Sequence, residues 1–286
     1  MTAKDISTTD WNSQSGESWV VYQARLDTMM AVFGQAAIEA AAPVTGESVL
    51  DVGCGAGTTS LDLAARVGAE GRVLGVDISE PLIGRARALA PQGTPVFYQV
   101  ADASSTELPK GKFDILYSRF GVMFFDDPTV AFAHMRHALK PGSRIAFVCW
   151  REMAENDWVR LPIGAMKGIL PPMSPPDPEA PGPFSFGNRE RVARTLTAAG
   201  FTDIVIAPFD ASIPFGIGDT RDAALDDAVK MTLEVGPLAR ALTDQPDDIR
   251  NRASVAVRSA FGGCPGGESV MIDGAVWIVT ARNPAS

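Results

Sequence analysis

Cysteine and histidine are scarce in this sequence, with three cysteines and two histidines among 286 residues. The cysteines, Cys54, Cys149 and Cys264, stand too far apart along the chain to form a metal-ligand pair. No cluster of carboxylates resembles the ligand set of a magnesium site. We therefore expect no metal and a reduced, cytoplasmic setting.

Long apolar runs and clustered basic residues are missing as well. No run approaches the roughly 18–20 residues that a membrane helix needs, and the polar stretch from Met1 to Asp10 lacks the pattern of a signal peptide. The net charge is −9 and the basic residues are scattered, whereas nucleic-acid binders cluster them against phosphates. These absences disfavour a membrane or nucleic acid as partner and favour a small molecule, and homodimer formation stays open.

Strand and helix signals alternate along the first half of the chain. Strands are predicted at 48–52, 72–76, 96–100, 114–117 and 144–150. Helices are predicted between them at 58–67, 81–89 and 128–139. Such alternation is typical of a mostly parallel sheet with helices on both faces. With two further strands at 201–209 and 276–281, the sequence predicts a Rossmann-like, seven-stranded α/β fold.

Prolines crowd the stretch from Pro162 to Pro183, which cannot be regular structure throughout. We therefore divide the chain into four parts. They are an N-terminal helical cap segment (1–45), a core (46–151), a proline-rich lid (152–190) and the remainder of the sheet domain (191–286), which carries a helical insertion at 210–265. The insertions are expected to fold over the site as a mobile lid.

A glycine-rich turn follows the first strand, in the run Asp51-Val52-Gly53-Cys54-Gly55-Ala56-Gly57-Thr58. Glycines permit positive φ and remove the Cβ atoms that would keep a ligand away from the backbone. The helix that begins at Thr58 offers unpaired N–H groups behind the turn. A strand, a glycine turn and a helix in this order favour ligand binding, although such turns also occur for purely structural reasons.

Acidic residues end the next two strands. Asp77 is placed to accept hydrogen bonds from ribose hydroxyls, unless it merely caps the following helix, a role that Ser79 could also fill. Asp102 could accept from the exocyclic amine of adenine, while the Ala103 N–H donates to a ring nitrogen. The first strand thus ends in a glycine turn, the second in Asp77 and the third in Asp102. Together these three strand ends predict a site for an adenine nucleoside.

These loops resemble those of the class I methyltransferases that use S-adenosylmethionine (SAM), in the style of the ubiquinone/menaquinone C-methyltransferase-like group. The resemblance covers roughly residues 46–150 and is weak outside them. It implies a cofactor site with Asp51, Gly53, Cys54, Gly55, Gly57, Ser118, Arg119 and Phe120 around the methionine part, Asp77 and Ile78 at the ribose, and Asp102 and Ala103 at the adenine. It also implies S-adenosyl-L-homocysteine as the product.

The function that we expect is metal-independent, in-line methyl transfer to an oxygen or nitrogen of a small, partly apolar metabolite. Alternatives are C-methylation of a quinone-like substrate, a non-catalytic SAM-binding protein and a nucleotide-dependent oxidoreductase. The oxidoreductase fingerprint G-x-G-x-x-G needs a third glycine where Thr58 stands. The acceptor atom cannot be read from the sequence, because function resides in the site rather than in the fold.

Aromatic residues near the strand ends are candidates for the acceptor pocket. They are Trp11, Trp19, Tyr22, Phe124 and Trp150. The two histidines, His134 and His137, lie on a helix expected to pack outside the sheet, so neither is expected to be a catalytic base. No catalytic residue is therefore assigned, and catalysis is expected to come mainly from proximity and orientation.

Overall fold

One sheet organises the computed structural model, which describes residues 14–171 and 177–285. Its strands are β1 (Ser48–Val52), β2 (Arg72–Asp77), β3 (Val96–Val100), β4 (Phe113–Arg119), β5 (Leu139–Trp150), β6 (Thr202–Ile217) and β7 (Ser269–Arg282). Their order across the sheet is β3-β2-β1-β4-β5-β7-β6. Strands β1 to β5 are parallel, and β7 runs antiparallel to both β5 and β6. The predicted seven-stranded, mostly parallel α/β fold is confirmed.

Helices cover the sheet and connect its strands. They are α1 (Gln14–Ala41), α2 (Thr58–Val67), α3 (Glu80–Leu89), α4 (Pro128–Arg136), α5 (Asp157–Ala165), α6 (Arg189–Ala198), α7 (Arg221–Glu234), α8 (Pro237–Leu242) and α9 (Asp247–Gly262). Short 3-10 turns lie at Val122–Phe124 and Met153–Glu155. The predicted helix at 58–67 and the strands at 48–52 and 96–100 have the predicted bounds.

The central strands are buried on both faces, as strands of a parallel sheet usually are. In β4, Ile115, Leu116 and Tyr117 are fully buried. Since β1 and β4 are neighbours and end at the same edge, the glycine turn after β1 and the loop after β4 meet there. The carboxyl ends of such strands are where open α/β sheets bind ligands.

Helix α1 lies within the predicted N-terminal cap segment and packs against β4, β5, β6 and β7. Phe33 and Ile38 on this helix are fully buried. Arg144 of β5 donates hydrogen bonds to the carbonyls of Ala41 and Ala42, the first of them 2.5 Å long, which satisfies acceptors that a helix end leaves unpaired. The carboxyl end of α1 is therefore fixed to the sheet.

The predicted helical insertion at 210–265 is wrong at its start. Residues 210–217 continue β6 and pair with β7, and helices occupy 221–262 instead. Pro208 and Pro214 do not interrupt the strand, because β6 lies at the edge of the sheet, where a proline without an N–H is tolerated.

The predicted lid at 152–190 also needs a correction, because the sheet core uses both ends of it. Asn156 is buried, and its side chain exchanges two hydrogen bonds with the backbone of Ala275 in β7, at 3.1 and 2.9 Å. Near the other end, Phe186 is 1% exposed and packs between Phe132 and Phe147. Residues near both ends of the predicted lid therefore pack against the sheet core.

Replacing Phe186 with Ala should lower the free energy of unfolding by about 3–5 kcal/mol, because the removed ring leaves a cavity in a packed core. The matched control is Phe97→Ala, since the Phe97 side chain is 58% exposed and its loss should cost well under half as much. Urea unfolding of both variants measures the difference. Equal losses of unfolding free energy in the two variants would show that Phe186 does not belong to the core.

Candidate functional site

The glycine turn after β1 adopts a left-handed backbone conformation, which favours glycine, at Gly53, Gly55 and Gly57. Gly53 and Gly55 have φ of +67° and +55°. A Cβ atom on Gly53 would lie 2.8 Å from the Cα of Gly121, in the loop after β4, so the two loops touch through backbone atoms. A Cβ on Gly55 would meet nothing within 4 Å. The turn therefore presents bare backbone on an open side.

Asp77 joins this turn to the end of β2. One carboxylate oxygen accepts from the Gly55 N–H at 2.8 Å and the other from the Ser79 N–H at 2.9 Å. Burial raises the pKa of Asp77, and hydrogen bonds from the backbone of Ser79, Gly55 and Ile78 oppose that shift. Ser79 caps α3 itself, through its Oγ and the Leu82 N–H. Asp77 is thus more than a helix cap, because it holds the glycine turn in place.

The end of β3 adjoins the same place. The Ala101 N–H donates to the Asp77 carbonyl at 2.9 Å, so the loop that starts with Asp102 follows directly beside Asp77. Asp102 is half-buried, and its Oδ1 accepts from the N–H and hydroxyl of Ser104 at 2.8 and 2.6 Å. Ala103 is buried. The structure therefore brings the three predicted loops together.

Asp51 is fully buried at the start of the glycine turn. Its Oδ2 accepts from the hydroxyls of Thr59 and Ser60 at 3.0 and 2.6 Å. Its Oδ1 is also buried and has no hydrogen-bond partner among the described residues. Burial raises the pKa of Asp51 to about 6, although the two hydroxyls and the Arg119 charge favour the ionised form. An orphaned acceptor of this kind suits a cationic group of a ligand.

The three predicted residues at the end of β4 and just after it have different roles. Ser118 Oγ donates to the Val52 carbonyl at 2.7 Å and accepts from the Gly121 N–H at 3.2 Å, so it ties the loop to β1. Phe120 is buried and has φ of +60°, which is uncommon outside glycine. The Cys54 thiol is buried as well, and burial raises its pKa well above the ordinary value.

Asp27 on α1 lies beside the candidate site, although no pattern in the sequence indicated it. Its carboxylate pairs with Arg119 at 2.5 Å and accepts from the Thr58 hydroxyl at 2.6 Å. Burial alone would raise the pKa of Asp27, but the Arg119 charge and hydrogen bonds from Thr58, Arg119 and Gln23 hold it below the usual value. The contact ties α1 to the first turn of α2 and to the loop after β4.

The predicted pocket aromatics fall in different places. Trp150 is buried and stacks on Phe120, with ring centroids 4.3 Å apart. The Tyr22 hydroxyl donates to Glu234 of α7, and burial together with that carboxylate raises the pKa of Tyr22. Phe124 is half-buried in the 3-10 turn after β4. Trp11 lies outside the described residues, and of Trp19 only the helical backbone is described.

Both histidines lie on or next to α4, as predicted. His134 Nε2 is 2.7 Å from the carbonyl oxygen of Thr106, and His137 is the exposed C-cap of the helix. Within residues 14–171 and 177–285, no three His, Cys, Asp or Glu side chains form a group that could hold a metal ion. Over the same residues, no helix has the length and apolar character to cross a membrane.

Asp51 should make the stability of the protein depend on pH. Because its folded pKa is about 6 and the ordinary value is 3.8, its favourable contribution is complete below about pH 4 and is lost as the pH rises through 6. The shift corresponds to about 3 kcal/mol. The free energy of unfolding of wild type minus that of Asp51→Asn should therefore fall by about this amount from pH 4 to pH 8, as measured by urea unfolding. A difference that is independent of pH would contradict the assignment.

Comparisons with known proteins agree with this geometry. Residues 49–142 match a family model described as a methyltransferase domain. Aklanonic acid methyltransferase DauC of Streptomyces sp. (strain C5) is 36% identical over 116 residues, which cover 40% of this chain and 53% of that protein. Nocamycin O-methyltransferase of Saccharothrix syringae is 31% identical over 176 residues, which cover 57% of this chain and 61% of that protein. The chain thus matches less than two thirds of the length of these relatives.

Among solved structures, phosphoethanolamine N-methyltransferase 2 of Haemonchus contortus, in complex with SAM, has a similar fold. The TM-score is 0.52 at 17% identity, over 88% of this chain and 52% of that one. The strand order, the three loops and the matched family model agree with one another: residues 49–142 of this chain carry a methyltransferase domain.

Proposed function

We propose that this chain transfers the methyl group of SAM to an oxygen or nitrogen of a small, partly apolar metabolite. The observation that carries the proposal is the meeting of three loops at one edge of the sheet, where Asp77 bonds to the glycine turn and adjoins the Asp102 loop. A scaffold would not need such an arrangement of acids around bare backbone. The matched family favours methyl transfer over the oxidoreductase alternative.

The residues present fit SAM. The orphaned Oδ1 of Asp51 could accept from the ammonium of the methionine part, and the open side of Gly55 leaves room for a ligand against the backbone. Asp77, with Ile78, would hold the ribose through the lone pairs that its backbone bonds leave free. Asp102 and Ala103 would hold the adenine. Asp51 would thus face the ammonium of SAM and Asp102 its adenine. The backbone around Gly55 would lie along the part of SAM between them.

SAM, when bound, supplies a methyl group activated on a sulfonium. The protein then has to bind the acceptor in line with that methyl group and to exclude water. Asp27 contributes indirectly, because its ion pair with Arg119 fastens α1 to the loop after β4. We also propose that the described part of residues 157–185 and the helices α7 to α9 form a lid over the site. The proposed reaction needs no metal, and the protein works in the cytoplasm as a monomer or homodimer.

The names of two relatives support the choice of acceptor. One relative is named an O-methyltransferase and another acts on aklanonic acid, and extending either property to this chain is our inference. C-methylation of a quinone-like compound remains the second candidate within the same fold. An assay of S-adenosylhomocysteine release with a panel of phenols, amines and carboxylates, followed by NMR of the product, identifies the methylated atom.

The protein should bind SAM and S-adenosylhomocysteine but not NAD. Asp77→Ala should weaken SAM binding at least tenfold, because it removes charge-assisted hydrogen bonds worth about 1.5–3 kcal/mol each and frees the glycine turn. The control is Asp244→Ala, which removes an exposed carboxylate outside the site. Calorimetry measures the binding of SAM, S-adenosylhomocysteine and NAD to wild type and to both variants. Binding of NAD without SAM would refute the proposal, and normal SAM binding by Asp77→Ala would refute the role of Asp77.

Replacing both histidines with Gln should leave turnover within about threefold of wild type, because they lie on or beside α4 and a pre-activated methyl group needs no base for an ionised acceptor. Turnover with an accepted substrate is measured from pH 6 to pH 9, beside thermal unfolding of the same variant. A loss of several hundredfold in a folded protein would instead show that a histidine removes a proton from the acceptor.

A further inference from the structure

Four aromatic rings form a continuous row that begins beside the glycine turn. Phe120 stacks on Trp150 with centroids 4.3 Å apart, Trp150 contacts Trp158 at 5.4 Å, and Trp158 stacks on Phe184 at 5.4 Å. Phe120 immediately precedes Gly121, the residue whose backbone contacts Gly53. This aromatic row therefore runs from the edge of the cofactor loops into the segment predicted as a lid.

The first half of the row is rigid and the second half is partly open. Phe33 of α1 meets Phe120 and Trp150 edge-on, with centroids 6.1 and 5.4 Å away, and fixes both rings from behind. Trp158 and Phe184 are only half-buried. Since the four residues carry no charge, their rings form a flat, apolar surface for a neighbouring group.

One polar atom of the row is unsatisfied. The Nε1–H of Trp158 is buried and has no hydrogen-bond partner among the described residues. Trp277 behaves in the usual way, because its Nε1 donates to the Gly187 carbonyl at 2.8 Å. A buried indole N–H normally finds an acceptor, so an orphaned one needs an explanation.

Gly236, which precedes α8, lies beside the Trp158 ring. A Cβ atom built on Gly236 would stand 3.8 Å from Cζ3, an ordinary van der Waals contact, so there is room for about one methyl group on this side of the ring. Gly236 has φ of +96°, which other residues rarely adopt. The backbone conformation at position 236 thus favours a residue without a side chain, which keeps this side of the Trp158 ring uncrowded.

We propose that the aromatic row is the acceptor site and that Trp158 selects the acceptor by donating its Nε1–H to an oxygen of a flat aromatic compound, such as a phenol or hydroxyquinone. Stacking on the rings would supply affinity, and the hydrogen bond would supply orientation. The inference names the substrate class for the proposed methyl transfer and so rests on it. Its test is a binding measurement that needs neither SAM nor turnover.

The test compares three probes by equilibrium dialysis without cofactor: naphthol, naphthalene and the saturated decahydronaphthol. Wild type should bind naphthol at least about threefold more tightly than decahydronaphthol, because only a flat ring stacks. Trp158→Phe keeps a ring and loses the N–H, so naphthol binding should weaken about three- to tenfold while naphthalene binding stays within about twofold. Trp277→Phe, which removes an N–H outside the row, should bind all three probes as wild type does.

Three results would overturn the inference: naphthol binding unchanged in Trp158→Phe, an equal loss for naphthol and naphthalene, or decahydronaphthol bound as tightly as naphthol. Urea unfolding of each variant shows that the protein is folded at the dialysis conditions. Failure of the proposed function has a different signature, since wild type would then not bind SAM in the calorimetric experiment whatever the probes do.

Discussion

The hydrogen bond between the Gly55 N–H and the Asp77 carboxylate holds the site together. In the same turn the N–H groups of Gly53 and Cys54 donate to the Val76 carbonyl, whereas the Gly55 N–H donates to Asp77 at the end of the neighbouring strand. The same residue receives the Ala101 N–H on its carbonyl, so three loops are linked through one side chain and one peptide group. Because Asp77 is buried in this position, the pKa of its carboxyl group is raised above the ordinary value.

Asp51 is also a buried acid, and its burial affects the stability of the protein. A buried acceptor without a partner lowers stability, and the two hydroxyls that serve its other oxygen offset only part of the cost. Natural proteins carry such groups where a ligand completes them. Under the proposed function, the ammonium of SAM would be the group that completes the Asp51 acceptor.

Features set by neighbouring residues could be predicted from the sequence, and those set by remote partners could not. Helix α2 has its predicted bounds because Gly57 and Gly68 flank an amphipathic run. Strand β6 continues beyond its predicted end because β7 pairs with it despite Pro214. The position of Asp27 beside the site could not be predicted, because its partners Thr58 and Arg119 lie 31 and 92 residues away along the chain. The glycine turn and its acids were recognisable because each follows its own strand.

The position of β7 between β5 and β6 has a consequence for the order in which the chain can fold. During synthesis β6 emerges before β7, and within the described sheet it pairs with no other strand. Until β7 arrives, the edge of β5 is uncovered and β6 can be held only by the helices that pack on it. Contacts between such distant segments form slowly, and uncovered strand edges promote association between chains. The nascent chain is thus most exposed to aggregation while the helices α7 to α9 are being made.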